Sequence, residues 1–509
     1  MTSIRKTKII ITLGKASSSV DMLVNLLNGG VDGVRITTRF LQWSERDQVM
    51  LNLREAERLT GRLVCVILSL REGDIRIGNG NAGSVITLNT GDELMIVPSN
   101  YQNPGPRTIV CKNKGFASMV RPGDKLLVEF GKAIFTVTKI ENFQEIQRSG
   151  STENISGTRY LRSKPKEPKL MKTVTCRAEN DCVLDEQNPI NFLNPSTVDP
   201  GKCSNELEDI RQLEWAQNEN IDIIIYKQVR DKEDLEFLWN FRIPKYTKRF
   251  VGIQTKETAE HPEGYLECSE GCSIGRGILG VETSHSRVSY LQKKIVQLSN
   301  TKGKPVFIST HVLESMTVND KPTRSEVVDS FCAVTDGVDA IVLTGETAYG
   351  KYPEQAVQTL HRICIEAEQH TDYKKQRKVV YNSLSKPLNT TDGICYFAAE
   401  AAEKMGASLI ICLTKTGRTA KNLSRFKPTC VVAALTDFEK TARFLKVVRG
   451  IYPILVSSSE DRENEKVAIE LVKHHGLVKA GDNVVFIGSS RDTIIEGSTS
   501  SLKIISITS

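Results

Sequence analysis

The stretch Leu413–Ala420 (LTKTGRTA) gathers three threonine hydroxyls, a lysine, an arginine and a glycine where an apolar run gives way to a helical pattern. Thr414, Lys415, Thr416, Gly417, Arg418 and Thr419 thus stand together at one turn and are candidates for a site. A glycine turn closed by a threonine cap accounts for the same residues. The densest basic run, Lys164–Lys172 (KPKEPKLMK), carries prolines and one acid and has no interleaved aromatics. It reads as a solvated loop, and no nucleic-acid stripe is expected. Of the twelve cysteines, Cys65 (LVCVIL) and Cys412 (IICLT) lie in apolar runs as core thiols. The close pairs Cys268/Cys272 and Cys176/Cys182 have no second pair or histidine spacing to complete a zinc site, so a reduced, intracellular compartment is expected.

These groups need a scaffold, and 509 residues are enough for two to four domains. With 39% hydrophobic and 25% charged residues and a net charge of +7, the chain has the composition of an ordinary globular protein. No run approaches the roughly 18 apolar residues of a membrane span, and no signal-length segment opens the chain, so a cytoplasmic protein is expected. Eight short apolar runs alternate with helical stretches: KIIIT at Lys8, GVRI at Gly33, LVCVIL at Leu63, IDIII at Ile221, RFVGI at Arg249, CSIG at Cys272, PVFIS at Pro305 and DAIVLT at Asp339. Buried parallel strands read this way, and eight of them predict a closed (β/α)8 TIM barrel.

The barrel is interrupted after its third strand. Between about Ile77 and Ser204 the pattern turns to short β-rich pieces with turn signals (NGNAG, NTGDE, RPGDK), which predicts an inserted β-barrel domain with a polar, flexible tail. After Lys386, ASLIICLT, TCVVAALT, IYPILV, NVVFIG and LKIISIT predict a doubly wound C-terminal α/β domain. The expected division is residues 1–76 and 204–386 for the barrel, 77–203 for the insertion and 387–509 for the C-terminal domain.

That arrangement, together with particular motifs, resembles the pyruvate kinase family. TKIIITLGKAS from Thr7 resembles the family's opening strand and turn, with Lys15 where proline is usual. LESM, PTRSEV and DGVDAIVLTGETAYGKYP, within Leu313–Pro353, resemble its barrel-closing signature, and LTKTGRTA and RGIYPIL its C-terminal domain. The resemblance implies phosphoryl transfer from phosphoenolpyruvate to ADP, giving pyruvate and ATP in glycolysis. It also implies Mg²⁺ and K⁺ as cofactors and a symmetric oligomer.

The family's metal residues are missing at the matching positions. GRGILGVE (Gly275–Glu282) resembles the family's ARGDLGVE with Ile278 in place of the metal-binding aspartate, and within VGIQTKET Gly252 replaces the essential lysine and Gln254 the metal-binding glutamate. Hard divalent cations need oxygen ligands, usually carboxylates, so no metal site of the family's type is expected. In the potassium site Thr37 and Arg39 stand for asparagine and serine, Ser69 and Leu70 for aspartate and threonine, and Lys227 for a further serine.

Other elements of the site match. Arg35 and Arg76 align with phosphate-facing arginines at strand ends, the Gly275–Gly277 backbone is suited to a carboxylate, and Thr310 matches a catalytic-site threonine. Arg39 and Lys227 are candidate cation substitutes. In the family the turn at Thr414–Thr419 receives a sugar phosphate effector, although here the partner loop reads SSRDTIIEGSTS (Ser489–Ser500) and His475 replaces a common arginine. Three functions follow. One is a catalytically impaired relative that binds a phosphoenolpyruvate-like anion, with a nucleotide as a second candidate ligand, or assembles as a homo-oligomer or with an active paralogue. Another is a working enzyme with metal ligands relocated to Glu282, Glu257 or Asp74. The third is a structural protein that keeps only the fold.

Overall fold

The computed structural model describes residues 4–70, 77–78, 86–98, 101, 105–111, 116–118, 120–128, 132–144, 170–184, 190–193, 206–459, 464–488 and 500–507. Eight parallel strands close into a barrel: Lys8–Thr12, Gly33–Thr37, Cys65–Leu70, Ile223–Tyr226, Lys248–Ile253, Gly271–Gly275, Val306–Ser309 and Ala340–Leu343. The first pairs with both the second and the eighth, which closes the ring. Both faces of each strand are covered, so the apolar runs are continuous rather than alternating. Helices between them start where the sequence offers a cap. Ser19 accepts the Met22 N–H ahead of Val20–Asn28, and Thr323 with Glu326 forms a reciprocal capping box ahead of Arg324–Asp336.

Residues Gly73–Asn205 form a compact unit of their own, and Met1–Glu72 with Glu206–Ser509 form another. The described part of the first of these holds a seven-stranded sheet and a two-stranded ribbon around Leu94, Phe116, Leu126, Phe135 and Val174. In the other unit, the barrel is joined by a five-stranded sheet ordered Ile451–Leu455, Val431–Thr436, Leu409–Leu413, Asn483–Gly488 and Ser501–Ser506. Four of these strands are parallel and the last is antiparallel. Ala398, Ala402 and Leu423 cover one face and Ala468 and Val472 the other, which makes the sheet doubly wound.

Buried ion pairs tie the N-terminal ends of the barrel strands to this sheet domain. Arg443 bonds Glu57 at 2.5 Å and Lys440 bonds Asp222 at 2.8 Å. The Arg449 guanidinium reaches Thr7 Oγ1 at 2.5 Å, and its backbone N–H reaches Asp339 at 3.0 Å. The opposite, C-terminal ends of the strands form the mouth, where barrels of this type place their sites.

Candidate active site

Strand parity decides which side chains enter the barrel. Ile9, Ile11, Val34, Ile36, Val66 and Leu68 belong to the core between strands and helices, whereas Ile10, Ile67, Ile225, Phe250, Phe307 and Val342 belong to a different cluster. Phe250 and Phe307 come from non-adjacent strands, yet their rings lie 5.0 Å apart, which identifies this second set as the barrel interior. Continuing the alternation toward the mouth turns the interior polar. It brings in the hydroxyls of Thr12, Ser69, Ser309 and Thr344, the glycines Gly252 and Gly275, the amide of Gln254, and the cations Arg35 and Lys227. None of these inward residues is a carboxylate.

Arg35 is 1% exposed. Its Nε donates to Thr12 Oγ1 at 3.0 Å and its Nη2 to Thr344 Oγ1 at 3.2 Å, while Thr12 Oγ1 donates onward to the Leu343 carbonyl at 2.7 Å. These two hydroxyls hold the guanidinium in one orientation. Lys227 follows the fourth strand and is also buried. Gly252 is what lets it fit: a Cβ there would come within 2.9 Å of Lys227 Cα, 3.0 Å of its Cγ and 3.1 Å of the Tyr226 carbonyl. Gln254 lies over Gly275, where a Cβ would meet its Nε2 at 2.3 Å. Among the described residues its buried Oε1 has no hydrogen-bond partner.

Thr310 takes a left-handed φ of +65° just beyond the seventh strand. Its hydroxyl accepts the Gly277 N–H at 2.8 Å and donates to the Ser309 carbonyl at 2.5 Å. The N–H of Gly277 is therefore engaged within the chain, and Gly275 heads the short helix Arg276–Glu282. Arg276 bonds the Thr310 and His311 carbonyls and Asp329. Arg39 lies in the turn after the second strand with its guanidinium 4.8 Å from the Phe40 ring, and its N–H bonds Thr37 Oγ1 at 3.1 Å. Arg76 and Asp74 lie outside the described residues.

Among the described residues the donor set does not fit the family's divalent ion. Ile278 is a half-buried hydrocarbon in the helix Arg276–Glu282, and Gln254 offers one neutral oxygen. The nearby carboxylates Glu282 and Glu257 both face Arg230, at 3.0 and 3.9 Å. Glu346, beside Thr344, accepts the N–H groups of Leu313 at 2.9 Å and Thr344 at 2.6 Å. Burial pushes its carboxyl above the ordinary range, against the pull of those N–H groups. Among the described residues no group of three or more His, Cys, Asp or Glu is placed to hold a metal ion.

At the C-terminal turn, Thr414 Oγ1 accepts the Gly417 N–H at 3.0 Å, and Thr441 Oγ1 donates to the Lys415 carbonyl at 2.9 Å. Gly417 has φ +79°, a conformation that suits glycine, and it starts the helix Arg418–Arg425. Thr419 is buried, while Lys415, Thr416 and Arg418 are exposed. Residues 489–499 of the partner loop lie outside the described residues.

Sequence reasoning missed Thr12 and Thr344, which orient Arg35, and Arg230, which engages the two glutamates. Parity along KIIIT would have turned Thr12 inward, and Arg230 stands three residues beyond Lys227 in the same IYKQVR segment.

Comparison with known proteins gives the same picture over nearly the whole chain. Residues 4–160 and 157–357 match the family model for the pyruvate kinase barrel domain, and residues 392–505 match that for the pyruvate kinase alpha/beta domain. A pyruvate kinase of Dictyostelium discoideum is 29% identical over 99% of this chain and 94% of its own length. One from Eimeria tenella is 30% identical, covering 97% and 88%. A cytosolic isozyme of pyruvate kinase from Glycine max is 31% identical, covering 94% and 93%. No described helix is long and apolar enough to cross a membrane.

Proposed function

The chain belongs to the pyruvate kinase family, and on that premise we propose that it holds phosphoenolpyruvate, or a small anion like it, at the barrel mouth on fixed cations and transfers the phosphoryl group poorly. The family reaction breaks the enol C–O–P linkage of phosphoenolpyruvate, passes the phosphoryl group to the terminal phosphate oxygen of ADP and leaves an enolate that takes up a proton. Dense negative charge meets between two anions, so the rate depends on cations placed around the transferring group. In this chain Arg35 supplies an oriented guanidinium and Lys227 a buried ammonium, with Arg39 at the rim. Arg76 is assigned to the same anion by its position in the sequence.

The observation that carries the impairment is the fate of the carboxylates. Gln254 and Ile278 occupy the two metal positions, and the substitutes available nearby, Glu257 and Glu282, are drawn to Arg230. A metal recruited there would have to displace Arg230, which counts against a working enzyme with relocated ligands. The bonds around Arg35 also count against a chain that keeps the fold for packing alone, since apolar residues would close the interior more cheaply than a buried guanidinium. We assign Mg²⁺ and K⁺ no role in binding. The protein acts as a homo-oligomer or in assembly with an active relative. An assay for pyruvate formation with phosphoenolpyruvate, ADP, Mg²⁺ and K⁺ tests turnover. Calorimetry with phosphoenolpyruvate alone tests binding, and absence of binding under every ionic condition refutes the assignment.

A further inference from the structure

The N-terminal ends of the barrel strands and the C-terminal domain enclose a narrow cleft at the far end of the barrel from the mouth. Lys304 and Asp339 line it from the barrel side, and Lys421, Arg425 and Lys427 from the other. Most of these charges are already engaged. Lys304 Nζ donates to the Ser269 carbonyl at 2.5 Å, Lys427 Nζ to the Gly337 carbonyl at 3.0 Å, and Arg425 to Asp392 at 2.5 Å. The Asp339 carboxylate accepts the N–H groups of Val306 at 2.9 Å and Arg449 at 3.0 Å.

Lys421 differs from its neighbours. It lies on the helix Arg418–Arg425, and among the described residues its ammonium makes neither a hydrogen bond nor an ion pair. Its charged surroundings are Lys304, Lys248 and Arg418, opposed by Glu270. The Glu270 carboxylate already accepts the Arg249 N–H at 2.6 Å. Burial, reinforced by the three cations, pulls the Lys421 ammonium down to about 8. A partly desolvated ammonium without an acceptor, set among like charges, is costly unless an anion joins it. The cavity holds about 10 Å³, room for one oxygen-sized group at its centre.

We propose that this cleft binds a small oxyanion, an inorganic phosphate or the terminal phosphate of a phosphomonoester, which enters by one oxygen onto Lys421 within the positive field of Lys304 and Lys248. The bound anion then bridges the barrel and the C-terminal domain and stabilises their contact.

The test uses the full-length protein at about pH 8, treated with an amine-directed reagent in phosphate or in chloride of equal ionic strength, with modification followed by peptide mass at Lys421 and at the exposed Lys404. Phosphate at about ten times its dissociation constant slows modification of Lys421 about tenfold and leaves Lys404 unchanged. A sugar phosphomonoester added in place of phosphate separates the two sources. Protection by phosphate alone assigns the cleft to the free ion, and protection by both assigns it to phosphate groups in general. In Lys421→Met the phosphate-dependent rise in melting temperature shrinks, while calorimetric binding of phosphoenolpyruvate is unchanged, so failure at the cleft and failure at the mouth are told apart. Equal modification of Lys421 in chloride and phosphate, or an undiminished phosphate response in Lys421→Met, overturns the proposal.

Discussion

The two ends of the barrel place their buried cations differently. At the N-terminal end several cations close on carboxylates: Arg5 with Asp32, Arg443 with Glu57, Lys440 with Asp222. At the mouth Arg35 and Lys227 are buried and turn inward, and the hydroxyls of Thr12 and Thr344 orient Arg35. A matched pair closes on itself and serves the fold. A cation fixed at the barrel mouth is placed to meet an anion that arrives. On the proposed function, these carboxylate-bound cations serve the fold and the mouth cations serve a ligand, and the deficit it predicts lies among the mouth carboxylates rather than among the cations.

The largest expected effect follows from that deficit. Pyruvate formation by the purified protein is at least about a thousandfold slower than by an intact relative under the same conditions, the scale of losing major electrostatic elements around a phosphoryl group. Ile278→Asp alone leaves the rate low, because Gln254 and Gly252 are unchanged and Arg230 still draws Glu257 and Glu282. Robust Mg²⁺-dependent turnover by the unmodified chain would place a competent metal site at the mouth and break the contrast between the two ends.

The N-terminal end yields the next effect, on stability instead of rate. Removing Arg443 leaves the buried Glu57 carboxylate to Arg54 at 2.7 Å and the Val64 N–H at 2.9 Å, so Arg443→Ala costs about 3 kcal/mol in chemical denaturation, the low end for breaking a buried pair, whereas Lys227→Ser at the mouth costs less. Acid titration tests the same end. Burial by itself raises the Asp32 carboxyl, but Arg5 and Lys8 outweigh it and leave the group below its ordinary value. At Glu57 burial is likewise outweighed, by Arg443 and Arg54. A folded-state value below the unfolded one means stability that is complete above the unfolded carboxyl range, near pH 4, and is lost as pH falls through the folded values. Arg443→Ala flattens that acid limb. An acid limb identical to wild type would show that the pair contributes nothing through ionisation.

The scaffold was legible in the sequence and the wiring of the mouth was not. Eight Val/Ile-rich runs mark eight strands because burial on both faces forbids polar residues there, and the strand–turn–helix rhythm after Lys386 marks the second sheet for the same reason. The type and strand-end position of Arg35 also suggested an inward anion ligand. Its anchors could not be read in that way: Thr12 lies 23 residues before it and Thr344 309 residues after it, and only closure of the ring brings them together. The same holds for Arg230 and Glu282, separated by 52 residues. At Thr414–Thr419 the sequence left a capped turn and a phosphate site both open, and the Thr414 bond to the Gly417 N–H shows the cap.

Affinity at the mouth sharpens the comparison at a smaller scale. Phosphoenolpyruvate binding measured by calorimetry is independent of Mg²⁺ and K⁺, and Lys227→Ser weakens it about tenfold, the worth of one charge-assisted bond. Arg39→Ser weakens it less, because that guanidinium is half-buried in the turn after the second strand and lies 4.8 Å from the Phe40 ring. Unchanged affinity in both variants would mean that these cations serve no ligand.

The smallest effect is expected at the C-terminal turn. Thr414 already takes the Gly417 N–H, so a phosphate there relies on the exposed Thr416 hydroxyl, the exposed side chain of Arg418 and the start of the helix Arg418–Arg425. Such a ligand binds weakly, and a sugar bisphosphate at millimolar concentration raises the melting temperature by about 1 to 2 °C. Thr416→Glu removes that rise by setting a carboxylate against the anion, while Thr414→Ala lowers the melting temperature whether or not ligand is present, because it unmakes the bond that closes the turn. The two substitutions therefore separate binding from capping at positions two residues apart. If the bisphosphate leaves the melting temperature unchanged while Thr414→Ala still lowers it, the turn has the self-contained character of the N-terminal end of the barrel, and Thr414 serves the fold alone.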